Sequence, residues 1–348
     1  MIIGQRIEFG IGGADRAAQN LIKGLLETPD VDVMVFYNQR SFPGSAHDSP
    51  SGLILSRQNQ YHCPLIEIHD PSEFLKYRLD ILHSHRTGDD LDRTPGFDKL
   101  NFPFAAIETN FHGALSTKAD FRIFPSLTML QGRTVSGPFA IIPNPISTPS
   151  THENLRESLG LTNKFVYGRV GRPSSEVFSP VNLTAYAQIE TDRTMFLYLA
   201  PCYAAIDVAK QLRIKHIKFL PPTIDDIEVS KIYNTFDIVC HSNCLGETFG
   251  NTIAEAMMHG KPVISHLGSA SCWPQAQKEV LGRDDLYVQT NIIRNYAELM
   301  KRLRDDKQYY AEIKAYVIKR SADLYDYRVV TKRYVDVYRQ ILRSRQWK

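Results

Sequence analysis

Two glutamates, Glu247 and Glu255, stand eight residues apart in the run Gly246-Glu247-Thr248-Phe249-Gly250-Asn251-Thr252-Ile253-Ala254-Glu255-Ala256. Residues 237–241 ahead of them, with Ile238, Val239 and Cys240 at their centre, read as a strand, and residues 251–259 read as a helix whose first turn lies near Gly250 to Ile253. Amides in the first turn of a helix have no intrahelical acceptor and can bind an anion. Glu247 then sits in the loop before that turn, where its carboxylate can accept hydrogen bonds from sugar hydroxyls. Glu255 falls one turn beyond Asn251 on the same helix face, where a carboxylate can hold both hydroxyls of a ribose. Diols at both ends and phosphates in the middle are what a nucleotide-sugar presents. Two glutamates at this spacing are also common as solvated surface charges; the Gly, Phe and Asn between them, and the strand before them, favour a site.

Three further elements carry candidate chemistry. Gly12-Gly13-Ala14-Asp15-Arg16 precedes an amphipathic helix, and glycines there let backbone approach a phosphate at a helix N-terminus, although a plain tight turn has the same composition. Gly171-Arg172 follows the first strand of the second half, where a guanidinium is placed for a pyrophosphate if it is not simply a surface arginine. Arg169, three residues earlier, is a second cation that strand alternation could point either way. Thr109-Asn110-Phe111-His112-Gly113 follows a strand directly, and the His112 imidazole can donate to a sugar hydroxyl or a phosphate oxygen. His83 and His85 also end a strand, a position where structural histidines are frequent.

Positioning these groups requires a series of buried strands alternating with helices. In the first half residues 31–36, 81–83, 105–108, 122–124 and 140–142 read as strands, and residues 15–27 as a helix with Ala18, Leu21, Ile22 and Leu25 on one face. Pro143-Asn144-Pro145 and the small polar residues after it interrupt both periodicities and mark a linker. The pattern then restarts, with strands at 165–169, 194–200, 217–220, 237–241 and 262–265 and helices at 204–212, 227–235 and 251–259. Two long helical patterns close the chain, 308–326 and 328–343, the second with a stripe of Val330, Tyr334, Val337, Tyr338, Ile341 and Leu342. The fold class expected is α/β, two doubly wound Rossmann-like domains with a ligand crevice between them at the carboxyl ends of the strands. The domains are expected at 1–145 and 146–326.

Composition removes several classes. Hydrophobic residues make up 43% and charged residues 23% of 348, ordinary for a globular protein with sizeable cores, and a net charge of +3 gives no signature of a nucleic-acid binder. The five cysteines are odd in number and embedded in apolar runs, which reads as reduced core thiols. Cys240 and Cys244 have no companion pair at zinc spacing, so no metal site and no cofactor is expected. No leader is visible and no apolar stretch approaches the ~20 residues that span a bilayer, so a cytoplasmic protein that can touch a membrane surface without crossing it is expected.

Together these motifs resemble a retaining glycosyltransferase of family four, the large GT-B group with a Glu-seven-residues-Glu motif. Gly246 through Gly260 resembles that motif, Gly12 to Arg16 its Gly-Gly-Ala-Glu-Arg signature with Asp15 in place of Glu, and Asp80 to His85 its Asp-Ile-Val-His-Ala-His strand. Thr109 to Gly113 resembles its Thr-x-His-Gly loop, Ile142 to Ile146 its linker entry, and Gly171-Arg172 its phosphate site, all in the family's order. The resemblance implies that Glu255 holds the ribose, and that Glu247, Thr248, Phe249, Gly250 and Asn251 hold the transferred sugar. It implies that Arg172 and the Gly12 and Gly13 amides hold the diphosphate, that His112 contacts sugar and phosphate, and that a final helix, 327–348, crosses back onto the first domain. The donor implied is a nucleoside-diphosphate sugar and the acceptor a carbohydrate, lipid-linked or small molecule. One departure stands out: the family has a lysine five residues after the arginine, and here Val177 occupies that place, which leaves the phosphate clamp one cation short.

Retention in this family follows front-face attack, in which the leaving phosphate helps to deprotonate the acceptor, and no carboxylate here stands out as a covalent nucleophile. The acidic pairs Asp89-Asp90, Asp225-Asp226, Asp284-Asp285 and Asp305-Asp306 are not the Asp-x-Asp metal motif of the other major transferase fold. The rival from another class is a non-catalytic nucleotide-sugar-binding partner of an active transferase, which Val177 favours and the glutamate pair opposes.

Overall fold

The computed structural model describes residues 1–7, 12–37, 62–85, 102–111, 115, 119–269 and 273–345. They fall into two compact units, Met1–Pro145 with Tyr327–Lys348, and Ile146–Asp326.

The first unit is a seven-stranded, wholly parallel sheet. Its strands are β1 (Ile2–Arg6), β2 (Asp32–Tyr37), β3 (Leu65–Glu67), β4 (Ile81–Ser84), β5 (Ala105–Thr109), β6 (Phe121–Phe124) and β7 (Phe139–Ile141), in the order β3-β2-β1-β4-β5-β6-β7. Both faces are covered, so β4 and β5 are buried at every position, as parallel strands generally are. Helix α1 (Gly13–Leu26) packs Ala18, Leu21, Ile22 and Leu25 into the core, the face expected from their spacing. The closing helix of the chain, Tyr327–Arg345, packs against α1 in this unit through Val330, Tyr334, Val335, Tyr338 and Ile341. Gly24 makes that approach possible, because a Cβ there would lie 2.0 Å from Thr331 Oγ1.

The second unit is a six-stranded parallel sheet, β8 (Phe165–Arg169), β9 (Thr194–Leu199), β10 (Ile217–Leu220), β11 (Ile238–Cys240), β12 (Val263–His266) and β13 (Tyr287–Val288), in the order β10-β9-β8-β11-β12-β13. Its helices are α2 (Val181–Ala187), α3 (Tyr203–Gln211), α4 (Asp226–Thr235), α5 (Asn251–Met258), α6 (Gln277–Leu281), α7 (Ile292–Asp305) and α8 (Lys307–Leu324), which makes the closing helix α9. Asp225 caps α4 by accepting from the amides of Ile227 and Glu228. The unit's two ends meet, with the Ile146 amide donating to the Tyr325 carbonyl at 2.8 Å. Both sheets reverse their order once, between β1 and β4 and between β8 and β11, and it is outside such a reversal that open parallel sheets bind ligands. No helix among the described residues is long and apolar enough to cross a membrane.

Candidate nucleotide-sugar site

In the second unit the loops that leave β8 and β11 flank the reversal of the sheet, and between them they carry most of the candidate residues. They are stitched together by hydrogen bonds. Arg169 Nη2 donates to the Ser242 carbonyl at 2.8 Å, Ser242 Oγ to the Ser179 carbonyl at 3.0 Å, and the Cys244 amide to the Val177 carbonyl at 3.2 Å. The loop after β12 braces the other side: the Ser269 amide donates to the Cys244 carbonyl at 2.7 Å and the Ala276 amide to the Glu247 carbonyl at 2.9 Å. A loop held on both sides keeps the side chains it carries in fixed positions before any ligand arrives.

Glu247 lies in that loop, with 24% of its side chain exposed. Its Oε1 accepts from His241 Nε2 at 3.0 Å and from Asn243 Nδ2 at 2.9 Å. Burial pulls this carboxyl upward, but the bonds from His241 and Asn243 and the Arg169 charge outweigh it and hold the group below the usual carboxylate value. Gly250 follows, with φ 102 and ψ 63, a left-handed conformation that glycine adopts without strain, and it opens α5. Gly250 at the N-cap makes no side-chain bond to the first turn of α5, a helix start of the kind that binds anions. Glu255 stands one turn into α5, half-buried, with the Tyr233 hydroxyl donating to its Oε2 at 3.0 Å. Tyr233 stacks on His259 at 4.8 Å between ring centroids, which fixes the hydroxyl.

The Phe249 ring turns away from any ligand. It is 2% exposed and meets Tyr325 edge-on at 5.5 Å, so it anchors the loop in the core and leaves only its backbone for a ligand. Thr248 is half-buried, and Asn251 is the first residue of α5.

Arg172 is exposed, and its guanidinium engages no other described residue. Arg169 is the opposite case. It is 6% exposed, its Nε is buried without a hydrogen-bond partner, and no carboxylate among the described residues lies within ion-pair distance. Strand alternation left its direction open; β8 ends on it with the guanidinium inside, at the switch point of the sheet. A buried cation with an unspent donor is a costly arrangement for the bare protein and a ready one for an anion. Val177 is 7% exposed, packed where the resemblance has a lysine.

In the first unit Gly12 and Gly13 are exposed at the start of α1, with no side-chain cap, and burial, against a bond from Gly12, pushes the Asp15 carboxyl up to about 6. His112 and Gly113 lie outside the described residues. His83 and His85 are buried and bonded: His83 pairs with the Tyr338 hydroxyl at 2.6 Å and the Thr109 hydroxyl at 2.8 Å, and His85 with Gln5 Oε1 at 2.5 Å. His83 ties α9 to the sheet and His85 holds Gln5 of β1, both structural roles. Spacing alone did not single out His241, Asn243 and Tyr233. The available signal was a polar strand end, His241-Ser242-Asn243, directly ahead of the glutamate.

Residues 187–306, which include both glutamates, match the model of the family described as glycosyl transferases group 1. No curated protein sequence matches the chain. Among solved structures, it is similar to HepE of Anabaena in complex with UDP and glucose, with a TM-score of 0.71 and 17% identity over 97% of this chain and 98% of that one. It is similar to a glycosyltransferase from Rickettsia africae, TM-score 0.73, 15% identical over 98% of each chain. Sucrose-phosphate synthase from Thermosynechococcus elongatus gives a TM-score of 0.74 and 15% identity over 99% of this chain and 100% of that one. At these identities the likeness is one of fold, and the fold is the α/β GT-B type that the sequence motifs implied.

Proposed function

We propose that this chain is a retaining glycosyltransferase that moves a sugar from a nucleoside-diphosphate sugar to a glycan, lipid-linked or small-molecule acceptor, without a metal ion. The observation that carries this reading is Glu247, an ionised, prepositioned carboxylate shortly before the Gly250 start of the helix that bears Glu255. Glu255 would accept from the ribose diol, Glu247 from hydroxyls of the transferred sugar, and the α5 amides with Arg172 would take the diphosphate. Arg169 would supply the cation that Val177 does not. The difficult event is departure of the diphosphate from a sugar that becomes oxocarbenium-like, and fixed donors gain strength as charge grows on the leaving phosphate. Gly12, Gly13 and His112 would complete the phosphate and sugar contacts, as the resemblance implies. A nucleotide-sugar donor suits a cytoplasmic enzyme, and the family match and the UDP bound by HepE support the donor class.

The test is thermal stabilisation by a panel of UDP-, ADP-, GDP- and dTDP-sugars, since a ligand at 100 times its dissociation constant adds about 2.7 kcal/mol. Turnover of the best donor is expected to persist in EDTA; activity abolished by the chelator and restored by magnesium or manganese would overturn the metal-free reading. Glu255→Ala is expected to weaken the bare nucleoside diphosphate by ~1.5–3 kcal/mol, the worth of a hydrogen bond to a charged group. Calorimetry that finds unchanged affinity removes Glu255 from the site.

The second reading, a non-catalytic nucleotide-sugar-binding partner, draws on Val177, which puts an apolar side chain where the family's lysine would stand. It predicts a wild-type protein that binds donor and transfers nothing, equal in this to Arg172→Ala.

A further inference from the structure

We infer that His241 is a positioning residue for the sugar: it fixes the Glu247 carboxylate so that Oε2 alone is presented to the hydroxyls of the transferred group. This rests on the donor-binding reading above. Both protein donors to the carboxylate converge on one oxygen, Oε1, at 3.0 Å from His241 Nε2 and 2.9 Å from Asn243 Nδ2. Among the described residues none donates to Oε2. A carboxylate has about four acceptor positions, and those on the unengaged oxygen are the ones a ligand can use.

The imidazole is itself held in one tautomer. A carboxylate only accepts, so Nε2 must carry the proton, and Nδ1 must accept from the Ser265 hydroxyl 2.8 Å away. The ring is 2% exposed, and the Tyr296 hydroxyl donates to the His241 carbonyl at 2.8 Å, which pins the backbone beneath it. Burial keeps the imidazole neutral against the pull of Glu247, and the Arg169 charge acts in the same sense as burial. The charged and titratable groups that face the pair are therefore Arg169 from β8 and His266 from β12, with Asn243 and Ser265 as neutral partners. Such a neutral donor lowers the carboxylate's proton affinity without cancelling its charge, which suits a group that must grip hydroxyls through the reaction.

The experiment compares His241→Leu, which keeps bulk and removes the donor, with His241→Gln, whose amide can donate from a similar place. Each is measured with the best pair from the panel, for example UDP and UDP-glucose. His241→Leu is expected to bind the bare diphosphate as wild type does, and to lose roughly tenfold to a hundredfold in kcat/KM for the nucleotide-sugar. The acid limb of its pH profile should move to higher pH, because Glu247 loses the bond that favours its charged form. His241→Gln should recover most of both effects. Equal losses for the diphosphate and the nucleotide-sugar, or an unmoved acid limb, would show a packing role and overturn the inference. If His241→Leu does not fold, Ser265→Ala, which frees only the ring, must show the same selective loss, smaller in size, or the inference falls. A wild-type protein that binds no nucleotide-sugar sinks the donor reading itself, a failure distinct from these.

Discussion

Arg169→Met is expected to cost about 10²–10³ in turnover, the loss typical of removing one fixed donor to a developing anion, while leaving the protein at least as stable as wild type. The two halves of this expectation have one cause. The guanidinium is 6% exposed, spends one donor on the Ser242 carbonyl and leaves Nε buried and unpaired. Desolvating a cation without a carboxylate in contact is unfavourable, and an apolar side chain of similar length removes that penalty. A purely structural arginine would behave in the opposite way, because its loss would lower stability and leave donor turnover near wild type. Denaturant midpoints and kcat measured together decide between them. Arg172→Ala should lower turnover comparably with no change in stability, since its side chain is exposed and engages no described residue. If Arg169→Met turns over donor at the wild-type rate, the diphosphate does not meet Arg169.

Acidification from pH 7 to pH 5 is expected to destabilise the protein steeply, above the range in which ordinary carboxylates titrate. His83, His85, His241, His259 and His266 all have their proton affinity lowered, in each case chiefly by burial, with His85 at about 3 and His266 at about 4. Their folded-state values lie below the ordinary ~6.5, so the unfolded chain takes up protons first. The stability they contribute is complete above about pH 6.5 and is lost as pH falls from there toward the folded values. Each histidine contributes a slope of up to ~1.4 kcal/mol per pH unit. Two of them fully engaged would remove roughly 4 kcal/mol between pH 6.5 and pH 5, a large share of the ~5–15 kcal/mol that holds a typical domain folded. Asp15 opposes this, because a carboxyl raised to about 6 lets the folded state bind a proton the unfolded chain does not yet bind, but it is one group against five. Urea midpoints that stay level between pH 7 and pH 5 would contradict the burial of these rings as neutral groups.

The fold was legible wherever apolar side chains repeat at strand or helix spacing. Residues 165–169 and 217–220 form strands over the whole ranges read from the sequence, and α1 buries the four residues on its expected face. β1 was missed because only Ile3 of its core positions is a large apolar residue: Gln5, two residues on, is fully buried and satisfied by His85 and the Tyr338 hydroxyl, so the strand shows no apolar alternation. α7 was missed because its buried residues, Tyr296, Ala297, Met300 and Leu303, form a narrow stripe among three arginines, a lysine and a glutamate. β13, two residues long, gives no period at all. At the site, the glutamate pair and the helix between them were legible because backbone geometry follows from local composition. The direction of Arg169, the burial of Phe249 and the hold of His241 on Glu247 were not, because each depends on which loop lies next to which across the sheet reversal. The loops 41–64 and 88–104, expected to read the acceptor, lie outside the described residues except at 62–64 and 102–104.

The membership of α9 in the first unit has a consequence for synthesis on the ribosome. Helices and strands emerge in chain order, and domains generally fold as units while translation proceeds. Here the first sheet is complete by Pro145, yet the surface that α9 covers stays bare until the entire second unit has been made. His83 and Thr109, whose partners Tyr338 and Tyr334 arrive last, spend that interval without them, and α1 waits with an open groove at Gly24. The second unit has no such delay, because its two ends, Ile146 and Asp326, pair with one another once they are released. The nascent chain should therefore finish its second unit first and its earlier unit last, with chaperone contact concentrated on residues 1–145 throughout that interval.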